Sequence, residues 1–376
     1  MLPIRATFAV LALALSAAAI RQFYLPDLAA EAAAALSNPD EPEAAVTLSR
    51  AALAADLANP YRWADLAEAL AATEDAPGAA ACFKRALELA PHIPQIWVRH
   101  ANFAFMNDDA ASAVGSAARV LETVPDFDSV LFPFFTVTPD LQSKMLDAIG
   151  GNRRAVRSWL NHLMAANKPD AARQTWARIA QAKFPDDKLA IGYVEYLLRV
   201  RDFSAATAVW SGQLGPRRGA YPARNLLFNG GFSAEPAGGP FDWRIAPRTT
   251  EYTTTLGDNS AQIAFTAKTN LIYDGLSQIA VLPAAGAYRF SVRVKTQGLT
   301  TNEGIRLAIP ELNLLSEPIL GTRDWSVYSL EFSVPAPCAV RVGIIRQPSQ
   351  KFDNKIQGTA WIASANLFFA SSPPEV

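Results

Sequence analysis

Three histidines (His92, His100, His162), two cysteines (Cys82, Cys338) and two carboxylate pairs (Asp108-Asp109, Asp186-Asp187) are the side chains here whose chemistry includes proton transfer, nucleophilic attack or metal ligation. Their placement points away from all three. Acid–base catalysis needs two groups converging on one reacting atom, whereas these acid pairs fall at expected helix starts or inter-helix turns, where a carboxylate favours the helix N-terminus. All three histidines lie in the helical half, and His100 and His162 occupy positions that pack on a neighbouring helix. Cys82, beside Phe83, reads as a small buried thiol. A bridge to Cys338 would have to join two separately folding units. No Gly-rich phosphate loop follows a strand, no Cys/His spacing suits a metal, and no nucleophile elbow is present. The expectation is a binding protein, not an enzyme, with no cofactor and no metal.

Binding chemistry has better candidates. In the run 288–294, Tyr288, Phe290, Val292 and Val294 claim one face of a strand, which puts Arg289, Arg293 and Lys295 on the other. Arg306 and Arg341 fall on the polar phase of their own strands. If those strands are neighbours, the result is a cationic face able to pair with carboxylates of an acidic glycan; the alternative is a solvated face with scattered arginines. Neutral sugars are met by aromatic faces, for which Tyr252, Tyr273 and Trp325 are candidates, with Asp274 and Gln278 as partners for hydroxyls. Trp243 and Trp361 lie in motifs expected to be buried. A formal charge of −1 over 376 residues, with no basic stripe, excludes nucleic acid as the expected partner.

The elements that carry these residues change character along the chain. Trp63/Trp97, Ala67/Ala101, Ala79/Ala113 and Pro91/Pro125 each recur thirty-four residues apart, the period of a tetratricopeptide helix pair. The first copy, with Trp63, Leu66, Ala67, Leu70, Ala79, Phe83, Ala86 and Pro91, resembles that family closely. A degenerate second pair is carried by Trp159/Tyr193, His162/Tyr196, Ala171/Ala205 and Trp176/Trp210. The resemblance implies a helical solenoid over 25–214, with an irregular helical insert near 126–154 and a capping helix pair split at Asn38-Pro39. Side chains of the first helices turned off the packing stripe would line a protein-binding groove: Glu68, Gln95, Asn102, Phe105 and Met106. Two placements are open for Phe105 and Met106, as an anchor for an apolar peptide or as packing under the insert.

Residues 215–224, rich in Gly, Pro and Arg, read as a linker. Beyond it, period-two runs at 288–294 and 326–334, separated by turn clusters, predict an antiparallel β-sandwich over 225–372. The opening Asn225-Leu226-Leu227-Phe228-Asn229-Gly230-Gly231-Phe232, then Phe241-Asp242-Trp243, Asp324-Trp325 and Gly358-Thr359-Ala360-Trp361-Ile362 resemble a jelly-roll carbohydrate-binding module. In that family the opening segment pairs with the last strand. The structural calcium that such modules often carry is not expected here, because Ser233, Ala363 and Ser364 replace the acidic ligands.

Ahead of the helices, Arg5, an apolar or small run at 6–20 and Arg21 read as a signal peptide or membrane anchor within 1–24, the alternative being a buried first helix. Together these features are similar to tetratricopeptide proteins encoded among bacterial exopolysaccharide assembly genes, a resemblance to which the stretch 298–306 adds. It implies an exported, periplasmic adaptor, anchored to the inner membrane if the leader is uncleaved. Such an adaptor would dock a protein of the polysaccharide machinery and contact a polysaccharide. An interaction scaffold without glycan binding and a glycan-processing enzyme are the alternatives; the enzyme requires a cleft holding two carboxylates.

Overall fold

The computed structural model describes residues 27–370 apart from Pro39 and Ala237. The leader at 1–24 lies outside them. Among the described residues no helix is long and apolar enough to cross a membrane. The chain divides into two compact units between Lys183 and Phe184.

The first unit is a succession of helix pairs: α1 (Leu28–Leu36) with α2 (Pro42–Ala55), α3 (Pro60–Ala72) with α4 (Ala76–Leu89), α5 (Pro94–Met106) with α6 (Ala110–Thr123), α7 (Asp128–Phe135) with α8 (Pro139–Ile149), and α9 (Arg153–Ala165) with α10 (Pro169–Gln181). Short polar side chains start several of them. Asn59, Asp75, Asp109 and Asn152 each accept a hydrogen bond from a first-turn amide, satisfying donors that the helix itself leaves unpaired. Asp109 of the first acid pair is thereby a cap. The thirty-four-residue period holds from α3 to α5 and from α4 to α6. The two repeat tryptophans also make the same bond: Trp63 Nε1 donates to the Leu57 carbonyl and Trp97 Nε1 to the Pro91 carbonyl, both at 2.9 Å. The small repeat residues Ala67, Ala79, Ala101 and Ala113 are buried where paired helices approach.

The insert keeps the helical register. α7 starts thirty-four residues after α5, and α9 follows only twenty-five residues later, so the insert is a contracted helix pair. Phe132 of α7 packs on Trp159 and His162 of α9, with ring centroids 5.0 and 5.4 Å away, and the last two rings stack. Burial pushes the His162 imidazole below its ordinary pKa. His100 sits between the Phe83 ring and the Ser116 hydroxyl, and burial lowers it too. Both histidines are packing groups.

The second unit opens with α11 (Asp187–Arg199) and α12 (Phe203–Leu214). The stretch 215–224 is where helix gives way to strand, and it is folded back on this pair: Arg217 pairs with Asp187 at 3.0 Å and Tyr221 is buried. Ten strands follow. One sheet contains β1 (Arg244–Ile245), β4 (Tyr273–Leu282), β9 (Cys338–Arg346), β6 (Arg306–Ile309) and β7 (Leu314–Leu315), in that order across it. The other contains β2 (Tyr252–Gly257), β3 (Ser260–Thr266), β10 (Gln357–Phe369), β5 (Gly286–Leu299) and β8 (Gly321–Val334). Every pairing is antiparallel. The chain crosses from one sheet to the other after β1, β3, β4, β5, β7, β8 and β9, as in a jelly roll. Between the sheets lies the apolar core, with Tyr288, Phe290, Val292 and Val294 inward as alternation requires.

The opening segment is tied to the last strand by Asn225. Its Oδ1 accepts from Leu227 N and Leu367 N, and its Nδ2 donates to Ala365 O, each at 3.0 Å. At Gly230 the backbones approach so closely that a Cβ would overlap the Ala365 carbonyl oxygen. With three bonds each worth about 1 kcal/mol net, Asn225→Ala is expected to lower sandwich stability by about 2–3 kcal/mol in denaturant titration. A loss under about 0.5 kcal/mol would show that the tie is dispensable.

Candidate functional site

Helix–helix packing in the first unit leaves a pocket of about 240 Å³ on α5. One wall is Val98, Asn102 and Phe105; the other is Val130, Phe134 and Phe135 of α7. Phe105 meets Phe134 and Phe135 edge to face, with centroids 5.8 and 6.4 Å away. Of the two placements left open for Phe105, the structure shows packing on the insert, and the same ring lines the apolar pocket. Glu68 lines the rim but is not free: Arg99 donates to both its oxygens, at 2.6 and 2.7 Å, and to Asp65 at 2.9 Å. Gln95 and Met106 are exposed and do not line the pocket. The sequence reading passed over Val130 and Phe134, whose i,i+4 spacing places them together on one side of α7. Phe134 stays 44% exposed while Leu131 and Phe135 are buried.

In the second unit the two sheets have different outer faces. That of the β4–β9 sheet is approached by helices: Ile279 and Arg341 line a cleft shared with Glu195 and Leu198 of α11, and Val281 lines another with Phe203 and Thr207 of α12. Packing of α12 on the opening segment is carried by Trp210 against Phe228, edge to face at 6.3 Å.

The four predicted arginines do not share a face. Arg289 and Arg293 are on β5 of one sheet, Arg306 and Arg341 on β6 and β9 of the other, because the chain changes sheet between β5 and β6. Three of them are already paired: Arg289 with Glu331 at 2.6 Å, Arg306 with Glu303 at 2.8 Å, and Arg341 with Asp274 at 3.1 Å. Asp274, proposed as a sugar ligand, is thereby an ion-pair partner. Tyr273 is a core residue: its ring is fully buried, and its hydroxyl bonds Thr254 at 2.8 Å. Burial raises its pKa well above the usual tyrosine value. Half-buried Tyr252 packs edge to face on it at 5.1 Å. Gln278 is buried as well and donates to the Phe228 carbonyl at 2.8 Å, holding the opening segment. All three take part in the packing of the sandwich.

What remains is the outer face of the β10–β5–β8 strands. Trp325 is 36% exposed, with the Arg293 guanidinium over its ring at 5.3 Å. Trp361 is half-buried on the same face, opposite Lys295 in the register, whose ammonium lies 6.0 Å from its ring centre. Trp361 was expected in the core. Its neighbours Ala360 and Ile362 take the inward positions, and alternation turns the indole outward. Val327, opposite Arg293, is 67% exposed. Because β5 separates β10 from β8, the two strands that carry the indoles lie about 10 Å apart, a distance that a short run of sugar rings can span.

Among the described residues no three His, Cys, Asp or Glu side chains come together to hold a metal ion. Ala363 and Ser364 lie at an irregularity in the pairing of β10 with β5.

No family model and no curated protein matches the chain. Solved structures similar to parts of it include a CBM4 carbohydrate-binding module, at 16% identity over 38% of this chain and 97% of that one, with a TM-score of 0.28. PilF of Pseudomonas aeruginosa is another, at 15% identity over 53% and 95%, TM-score 0.23. A third is the module TmCBM61, in complex with β-1,4-galactotriose, at 16% identity over 39% and 100%, TM-score 0.25. Agreement at this level assigns neither a family nor a ligand to this chain.

Proposed function

We propose that the chain is a non-catalytic adaptor of the cell envelope, active in polysaccharide synthesis or export. Its helical repeats dock a protein partner, and its sandwich holds a glycan on the outer face of β10, β5 and β8. The observation that carries the glycan half is the pair of partly exposed indoles, Trp325 and Trp361, on one face. An indole face desolvates the C–H side of a sugar ring, and two in a row fix the direction of a chain. The apolar pocket at Phe105 and Phe134 supports the protein-docking half, suited to an apolar side chain of a partner. The apolar segment at 6–20 supports export.

A panel of polysaccharides offered to the full chain tests this reading. Trp325→Ala with Trp361→Ala is expected to weaken retention on the retained polymer at least tenfold while leaving the melting temperature within about 2 °C, since both rings lie on the outer face and outside the core between the sheets. Retention unchanged by the double substitution contradicts it. A specific observation favours a second reading, a scaffold that binds protein only: Arg289, Arg306 and Arg341 are all held in internal ion pairs. Failure of every polymer to bind would remove the glycan half and favour that scaffold.

A further inference from the structure

We infer that the glycan held on this face is acidic, a carboxylate-bearing polysaccharide whose carboxylates pair with Arg293 and Lys295 while Trp325 and Trp361 meet the sugar rings. The inference rests on the glycan-binding reading above and names the ligand class.

It starts from the cations on the strands of the sandwich. Arg244, Arg289, Arg306 and Arg341 each pair with a carboxylate. Arg346 and Arg323 donate to backbone carbonyls. Arg293 and Lys295 do neither among the described residues; each has only an indole ring for company. They are two residues apart on β5, so they project from the same face, and their strand runs between the two that carry the indoles.

The chemistry of the couples selects for an anion. A guanidinium set over an indole ring still has N–H donors that can pair with a carboxylate through two parallel bonds. The ring contact also restrains a side chain that would otherwise lose much rotamer freedom on binding. For Lys295, the ring next to the ammonium lowers local solvation and strengthens pairing with an anion. Between the two indole-bearing strands the face carries two like charges, with Gln297 beyond them on the same strand, and the charges repel each other until an anion arrives. Alternate carboxylates along a polyuronate chain would meet both.

The test compares polygalacturonate, its fully methyl-esterified form and dextran sulfate, each titrated against the full chain at fixed ionic strength. Polygalacturonate is expected to bind the unaltered protein at least tenfold more tightly than the ester. Arg293→Gln with Lys295→Gln should remove that difference and leave the melting temperature unchanged. If the ester binds as tightly as the acid, the face binds glycan but does not read charge, and this inference alone fails. If neither polymer binds, the glycan reading fails with it. Binding of dextran sulfate equal to that of polygalacturonate, and indifferent to Trp325→Ala with Trp361→Ala, would mean a simple counter-ion effect and would also overturn the inference.

Discussion

Replacing Arg346 with alanine is expected to unfold the sandwich more readily than any other single change in the strands, at a cost of about 3–5 kcal/mol. This arginine is fully buried at the end of β9. Its guanidinium donates to the carbonyls of Glu303, Leu271 and Asn354 and to the side-chain oxygen of Asn270, so one planar group joins three loops. Burial lowers its pKa and the Glu303 charge opposes that shift; an arginine nevertheless stays protonated in folded proteins. Removing it leaves a cavity and strands several buried acceptors, each expensive without a donor. Two further variants separate these causes. Arg346→Met restores volume but no donor, and should remain nearly as unstable as the alanine variant. Arg346→Lys restores charge without the planar fork, and should recover less than half of the loss. Wild-type stability of the methionine variant in denaturant titration would mean that packing, not donation, is what the site needs.

Trp159→Ala carries the corresponding effect in the helical unit. The ring has no exposed surface and lies between Phe132 of the contracted pair and the stacked His162. Truncating a buried tryptophan costs about 3–5 kcal/mol. For a unit of this size that lowers the melting temperature by roughly 6–20 °C. Trp159 Nε1 is buried and makes no hydrogen bond, so Trp159→Phe keeps most of the apolar contact and removes an unsatisfied donor. Its cost should be less than half that of alanine. Calorimetry of the full chain reads both, and equal losses for the two substitutions would remove the argument that ring packing holds the insert in place.

Local periodicity made much of this legible from sequence. The recurrence from Trp63 to Trp97 marks a repeated bond as well as a repeated position, because each indole reaches the carbonyl six residues before it. Alternation in β5 assigned Tyr288, Phe290, Val292 and Val294 to the core and Arg293 to the surface. The same parity also places Trp361 outward between Ala360 and Ile362, and Arg346 inward after Val340, Val342 and Ile344. Both went unread, Trp361 because its motif suggested burial. Gln278 follows the inward parity of Leu276, Ala280 and Leu282, so its burial too was there to be seen. Tyr273 is different: an irregularity in the β4–β9 register between Tyr273 and Leu276 reverses its face, and a bulge of that kind has no signature in side-chain alternation. Whether Arg306 neighbours Arg293 depends on which sheet each strand joins, a long-range choice that no local pattern encodes. Likewise, the pairing of Arg99 with Glu68, which takes the groove's acid out of play, spans thirty-one residues.

Hydrogen–deuterium exchange of the full chain with and without polygalacturonate tests the central claim most directly, because it locates contact without altering a residue. Slowed exchange concentrated in the edge strand β8 around Trp325 and Val327, and in the adjoining part of β5, is the predicted result. Protection confined to the helices or to the β4–β9 sheet, or no protection by any polysaccharide, would contradict it.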